Sequence, residues 1–337
     1  MSQSVESSQG AQATLESVLK SIRDYGDNAS AFLAVNEGNE YFEGSVKGVI
    51  TYRRAGRYFI QFGGVTAEPD QQRTLLAEFQ KYARAQRRRI VGIQLQPTDI
   101  DLFASAGFTV NQVGSSYSVH LPEFTLRGTK FMKLRNKISR AKRSGLEVRE
   151  LPYDEGVKQQ IGEIDRHWLR SKGRHVKEIE FLVGQVGGPA QEHRRLFVGL
   201  IEEKPVAYIS YSPAYGSRPG WMHDLSRRLP DVNPGVMEAI NAAAIEKFRQ
   251  EDAEWLHFGF TPFTGLDPAC EHSGHSPLTA KFMRLLAEKG GSIYPAATQL
   301  AYKEKWGPHL VVPEYLAFQN GPSFGAIWQI LRVTKSI

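Results

Sequence analysis

Apolar and polar positions alternate over Val46–Tyr52 and again over Arg57–Phe62, which predicts two strands joined by a turn at Arg54–Gly56. Ahead of them, Leu15–Tyr25 carries a helical stripe and ends at the turn Gly26–Asp27–Asn28. Pro69–Gln71 opens a helix running to Arg87, with Leu75, Leu76, Phe79, Tyr82 and Ala83 as its inner side. A strand over Ile90–Leu95, a short helix over Ile100–Ala106 and a strand over Ser115–His120 complete this block. After position 190 the order returns. Leu196–Ile201 and Val206–Tyr211 form a hairpin around Glu203–Pro205, and Trp221–Leu225 is a further strand. A helix follows over Gly235–Arg249, with Val236, Ile240, Ala244 and Phe248 on one side. Trp255–Phe260 is expected as a strand, Leu278–Lys289 as a helix and Thr298–Tyr302 as a last strand. Two successive blocks of hairpin, helix, strand, helix and strand point to a tandem duplication.

Between the blocks lies Arg127–Arg149, whose pattern differs from the rest. Phe131, Leu134, Ile138 and Ala141 recur at helical spacing, with Thr129 expected to cap the start and Gly145 to end the helix in a left-handed turn. Every other side of that helix is cationic. Arg127, Lys130, Lys133, Arg135, Lys137, Arg140, Lys142 and Arg143 occur without a single acid among them. The formal net charge of the whole chain is only +6, so the basic character is local. A local cationic surface suits a polyanion; a solvated helix kept soluble by its lysines is the plainer alternative. Like charges four residues apart repel by a few tenths of a kcal/mol, which phosphates would relieve.

Composition adds boundaries. With 337 residues the chain has room for two domains, and 41% hydrophobic with 23% charged residues is ordinary for a folded soluble protein. The single cysteine, Cys270, excludes an intramolecular disulfide framework and suits a reducing cytoplasm. No apolar run approaches the ~18 residues a bilayer span needs. The first residues, MSQSVESSQGAQAT, read as a polar tail rather than a signal peptide. Cys270, His272 and His275 are zinc-type ligands by chemistry, but their spacing matches no established site, and no metal is expected. A Gly-x-Ser-x-Gly elbow is lacking too, so no hydrolase triad is indicated.

The element order resembles that of the Gcn5-related N-acetyltransferase fold. That resemblance implies an α/β (α+β) protein of two tandem acetyltransferase-like domains, with mixed central sheets flanked by helices. Boundaries are expected at 1–30 for a tail and short helix, 31–125 for the first unit, 126–149 for the basic connecting helix, 150–322 for the second, catalytic unit, and 323–337 for a C-terminal tail. Members of that fold hold the pyrophosphate of acetyl-CoA on a Gly-rich loop before the main helix, through consecutive free backbone N–H groups. Here the corresponding loops read GGVTAEPDQQ and LPDVNPGVME, and Pro234 removes a donor. Acyl-CoA is therefore not the expected donor.

Four ordered segments carry a closer resemblance: KFMKLRNKISRAKRSGLEV, MHDLSRRLPDVNPGVMEAI, WLHFGFTPFTGL and YKEKWGPHLVVPEYL. Together they resemble the C-terminal catalytic domain of phosphatidylglycerol lysyltransferases and their alanyl relatives, over about Phe32–Phe318. Thr261 and Phe263 depart from that family's strand motif, and Trp306 stands in place of the usual Phe. The resemblance implies transfer of an aminoacyl group from aminoacyl-tRNA to an amine or hydroxyl, with no cofactor. The acceptor is a lipid headgroup or, as in soluble relatives of antibiotic pathways, a small molecule. It also implies a cytoplasmic protein, at most peripheral to the membrane. An acyl-CoA transferase and a non-catalytic nucleic-acid-binding protein stay open as alternatives.

Site residues follow from these segments. Asp224 is expected to hold the ammonium of the aminoacyl group and Arg227 to orient it or meet a phosphate; a local ion pair between the two is the structural alternative. Glu304 is a general-base candidate, and Lys303 and Lys305 are candidates for the oxyanion or the tRNA 3′ phosphates. Strand alternation would put Lys303 and Lys305 on one face, Tyr302 and Glu304 on the other. Tyr302, Lys303, Gly259 and Phe260 are expected to line the substrate. Lys130, Lys133, Arg135, Lys137, Arg140, Lys142 and Arg143 are expected to bind tRNA. His223 is a weaker base candidate, pointing away from Asp224 along a strand. Trp255, Phe258 and Phe260 read as core.

Overall fold

The computed structural model describes residues 14–172, 181–289 and 296–335; most of the expected N-terminal tail lies outside these. In chain order the elements are α1 (Leu15–Tyr25), β1 (Glu40–Phe42), β2 (Gly48–Ala55), β3 (Tyr58–Ala67), α2 (Gln72–Ala85), β4 (Arg89–Leu95), α3 (Ile100–Ser105) and β5 (Phe108–His120). Then come α4 (Met132–Arg143), β6 (Glu147–Leu151), α5 (Glu155–Lys172), β7 (Arg195–Ile201), β8 (Lys204–Ala214), β9 (Gly220–Arg228) and α6 (Val236–Gln250). The last are β10 (Trp255–Pro262), α7 (Pro277–Lys289), α8 (Ala296–Glu304), β11 (Leu310–Gln319) and α9 (Phe324–Val333).

All the strands join one mixed sheet in the order β1-β2-β3-β4-β11-β5-β10-β9-β8-β7-β6. Each block makes an antiparallel hairpin, crosses over a helix (α2 or α6) and returns parallel, β4 beside β3 and β10 beside β9. The final strand of each block then crosses to the other. β11 pairs with β4 of the first block, β5 pairs with β10 of the second, and β5 and β11 run antiparallel at the centre. This reciprocal exchange fuses the duplicated blocks into one sheet and shares their core. On one face of the second block, α4 and α6 pack Leu134, Ile138, Ala141, Val236, Ile240 and Phe248 onto the sheet. On the opposite face α5 contributes Ile161 and Ile164 against Leu196, Val198 and Tyr208.

Three local expectations are corrected. Thr298–Tyr302 is helical, within α8, and the last strand is β11. Leu300 and Tyr302 alternate like a strand, but Lys303 and Trp306 are the fully buried positions, and their spacing of three is helical. Thr129 does not cap α4: a 3-10 turn over Thr129–Phe131 leads in, without a side-chain cap at Gly128 or Phe131. Residues 323–335 are not a loose tail, since α9 packs Ala326, Ile327 and Ile330 into the core of the first block and Ser323 caps it. Gly145 does take the left-handed conformation, at φ +83°.

Candidate active site

Parallel strands β9 and β10 share ladder positions only from Gly220/Trp255 to Met222/His257, and then part. Two bulges sit at this parting. In β9, Asp224 is the extra residue between the pairs Tyr211↔His223 and Ser210↔Leu225, and in β10 the register slips between His257 and Gly259. Gly259 is at φ +68°, a conformation that favours glycine, and a Cβ there would lie 2.1 Å from the Met222 methyl and displace it. Lys303 of α8 fastens this bulge: its Nζ donates to the carbonyls of Gly259 (2.7 Å) and Phe260 (2.9 Å). Burial lowers the Lys303 ammonium to about 7, with Glu314 nearby opposing the shift.

The bulge sends His223 and Asp224 to opposite faces. His223 faces α6 and α8, where Tyr211, Phe258 and Tyr302 surround its ring. Burial holds its pKa down at about 4, so it is neutral, and Nδ1 lies 3.4 Å from the Asn241 carbonyl oxygen. That oxygen also accepts from the Tyr211 hydroxyl (2.7 Å), and with the amide in this orientation His223 Nδ1 donates and Nε2 is free to accept a proton. Asp224 lies beneath residues 181–194, against Gly184, whose missing side chain makes room for the carboxylate. Arg194 Nε stands 3.6 Å from Asp224 Oδ2, with side chains 0% and 1% exposed. Neither Asp224 oxygen meets a donor in full hydrogen-bond geometry, although the Ser212 hydroxyl and Arg194 stand close enough to pull its pKa down. Burial raises this carboxyl to about 6, against the pull of Arg194. A buried carboxylate with vacant lone pairs, backed by one guanidinium, is suited to receiving a cationic group.

Arg227 has a partner of its own, Asp165 of α5 (3.1 Å), and stacks 5.0 Å over Trp168. The local pairing of Asp224 with Arg227 weighed from the sequence gives way to partners from two other elements. Because α8 is a helix, the expected grouping of its side chains also changes. Lys303 is buried, Glu304 is exposed, and Lys305 reaches Glu238 (2.8 Å) with its ammonium 4.5 Å from the Tyr302 ring centroid. Glu238 also meets Lys137 of α4 at 3.6 Å. Its burial alone would raise its pKa, but Lys305 and Lys137 outweigh that and hold it low. Glu238 thereby ties α4, α6 and α8 together beside the parting.

On α4, Lys133, Lys137, Arg140, Lys142 and Arg143 are exposed, as is Lys130 in the turn before it, and half-buried Arg135 donates to the carbonyls of Leu126 and Gly128 (2.7 Å to the latter). An open cleft of about 510 Å³ lies between α4, α6 and residues 124–128, with Arg127, Arg135 and Arg249 at its rim. The cationic helix and Asp224 are on opposite faces of the sheet, meeting where the β9–β10 ladder stops. The first turn of α6 is packed against α4: a Cβ on Gly235 would lie 2.2 Å from the Lys137 carbonyl oxygen. That contact occupies the helix start at which a pyrophosphate would need open N–H groups.

Arg194, Glu238 and Asn241 were not singled out by sequence reasoning. Glu238 and Asn241 left a usable signal, being polar residues at the margin of the apolar stripe of α6; Arg194 left none. The Cys270 segment is turned on itself, His275 Nδ1 lying 2.7 Å from the His272 carbonyl. Among the described residues no helix is long and apolar enough to cross a membrane.

Comparison with known proteins agrees with this architecture. The family model described as phosphatidylglycerol lysyltransferase, C-terminal, matches residues 19–318. The chain belongs to that family. It is 23% identical to the phosphatidylglycerol lysyltransferase of Bacillus subtilis (strain 168) over 319 residues, 93% of this chain and 36% of that protein. It thus spans little more than a third of that relative's length. Among solved structures, L-PGS from Bacillus licheniformis superposes with a TM-score of 0.80 at 20% identity, covering 98% of this chain and 99% of the other. The C-terminal domain of a lysylphosphatidylglycerol synthetase assigned in Agrobacterium fabrum gives 0.76 at 21% identity, covering 96% and 95%. These likenesses establish that the chain shares the fold of those two domains.

Proposed function

We propose that this chain transfers an aminoacyl group from aminoacyl-tRNA to a hydroxyl of phosphatidylglycerol, with lysyl-tRNA as the donor to which its relatives' names point. The observation that carries the reading is the junction of α4 with the β9–β10 parting through Lys137, Glu238 and Lys305. A cationic helix long enough to follow an RNA backbone is fixed to a strand break that holds a buried, vacant carboxylate. The cations of α4 take the acceptor-stem phosphates, and the esterified 3′ end enters at the strand break. Asp224 takes the α-ammonium from the far face. Lys305 is placed for the terminal phosphate or the developing oxyanion.

Chemically, the lipid hydroxyl oxygen forms a bond to the ester carbonyl carbon and loses its proton to the neutral His223 Nε2. The tetrahedral intermediate then collapses, breaking the bond to the ribose oxygen, which takes the proton back. Since the ester is already activated, positioning and one proton relay suffice. An acyl-CoA reading would need the α6 start that Lys137 occupies. To test the proposal, the protein is incubated with labelled lysyl-tRNA and phosphatidylglycerol vesicles, and the lipid fraction is counted. Label in the lipid is expected, and its absence with every aminoacyl-tRNA offered would overturn the reading.

A further inference from the structure

Helix α9 is apolar on both sides. Its inner side, Ala326, Ile327, Ile330 and Val333, belongs to the core of the first block. Its outer side presents Phe324 at 88% and Trp328 at 58% exposure, one helical turn apart, with Arg332 and Lys335 exposed further along. Two large apolar side chains standing in water on one short helix call for an occupant.

The surroundings indicate which one. The helix rests on the β2–β3 hairpin: Tyr58 and Ser323 hydroxyls are 3.0 Å apart, and Gly56 lies against the Gln329 amide. That hairpin and the α2–β4 connection beside it hold no acid over residues 53–58 and 84–89. Arg57, Arg84, Arg87 and Arg89 are exposed there, and Arg57 and Arg89 are adjacent through the 2.9 Å bond from Arg89 N–H to the Arg57 carbonyl. Apolar anchors ringed by cations suit an anionic bilayer surface, where Trp settles at the headgroup level and each cation adds attraction. A second copy of this face would oppose arginines to arginines, which disfavours self-association. Direction agrees as well. β10 and β11 both run antiparallel to β5, so α9, which follows β11, lies toward the end of the sheet to which the β9–β10 parting opens.

We infer that Phe324, Trp328 and the neighbouring arginines form the face by which this protein lies on an anionic lipid surface, presenting its candidate active site to the headgroups. This rests on the lipid acceptor proposed above. The test is flotation with vesicles of phosphatidylglycerol mixed with phosphatidylcholine, against phosphatidylcholine alone. The proteins compared are the wild type, Phe324→Ser/Trp328→Ser and Arg57→Glu/Arg87→Glu, each checked for an unchanged thermal midpoint. The wild type should float with the anionic vesicles and shift its tryptophan emission to the blue. Either double variant should bind them about tenfold or more weakly. A wild type that stays in solution, variants that float equally well, or a dimer in solution dissolved by Phe324→Ser/Trp328→Ser would overturn the inference. Deacylation of aminoacyl-tRNA without vesicles, followed on the same samples, is expected to be equal in all three. Its absence in the wild type would count against the donor reading while leaving the flotation result to judge the surface.

Discussion

The two blocks make the same strand parting and use it differently. In the first, β3 and β4 separate after the pair Phe62↔Ile93, and Gly63, Gly64 and Gln94 take positive φ. The break is then bridged from within. Gln61 Nε2 donates to the Gly64 carbonyl (2.7 Å), Asn28 Nδ2 donates to the Gln94 carbonyl (2.9 Å), and Asp99 accepts from Gln96 N–H (2.8 Å). A Cβ on Gly64 would lie 2.6 Å from the Asp99 carboxylate, so the carboxylate sits directly against the backbone there. At the second parting both Asp224 oxygens lack a donor in full hydrogen-bond geometry, and the Asn241 amide has an unused nitrogen. The same backbone device is bridged by Gln61, Asn28 and Asp99 in one block, where Gln61 Oε1, Gln94 Oε1 and the Glu314 carboxylate are nonetheless buried without a donor in full hydrogen-bond geometry. In the other it holds Asp224 backed by Arg194, and the side chains at the break make the difference. An empty Asp224 site costs stability, the usual consequence of keeping a binding group desolvated.

The sharpest way to break this contrast is a matched pair of isosteric substitutions. Asp224→Asn should lower aminoacyl transfer by about 10²-fold or more while leaving tRNA affinity unchanged, as measured by filter binding beside product formation. Asp99→Asn should leave transfer within about twofold of wild type. Equal losses from the two would mean that both partings act as one structural unit.

Next in size is the electrostatic term. Reversing Lys133, Arg140 and Arg143 to Glu should weaken tRNA binding by at least about tenfold near 0.1 M salt. The slope of log affinity against log salt should fall by about 2–3. The thermal midpoint should hold, because all three side chains are exposed. Unchanged affinity would reduce α4 to a soluble connector between the blocks.

The most specific effect is in stability against pH. Burial raises Asp224 from 3.8 to about 6 and Asp99 from 3.8 to about 7, so the folded state binds more protons than the unfolded one over these windows. Each group therefore makes stability fall as pH rises through its window, by on the order of 3 kcal/mol for Asp224 and 4 kcal/mol for Asp99. His223 and His257, held down at about 4, slope the opposite way, so the comparison must be variant against wild type. Chemical denaturation between pH 4 and 7 should show Asp224→Asn relieved of this loss up to about pH 6, and Asp99→Asn up to about pH 7. Parallel curves for wild type and both variants would mean that these carboxyls are better solvated than their burial implies.

The local elements and the location of the charge were legible in the order of the residues. Hydrophobic periods of two and 3.6 are written into neighbouring residues, so both hairpins, both crossover helices and the stripe Leu134–Ile138–Ala141 could be read directly. So could the cations of α4 and the four family segments, which single out Asp224 and Lys303 without showing the strand break that joins them. The exchange of β5 and β11 emerged only in the folded chain, because strand pairing between residues some two hundred positions apart leaves no local period. Folding alone turned Thr298–Tyr302 into a helix, where two apolar residues fit either period until Lys303 and Trp306 are seen to be buried. Arg194 and Glu238 likewise became meaningful only in three dimensions: a charge acquires its role from the group it meets after burial, and that group comes from another part of the chain.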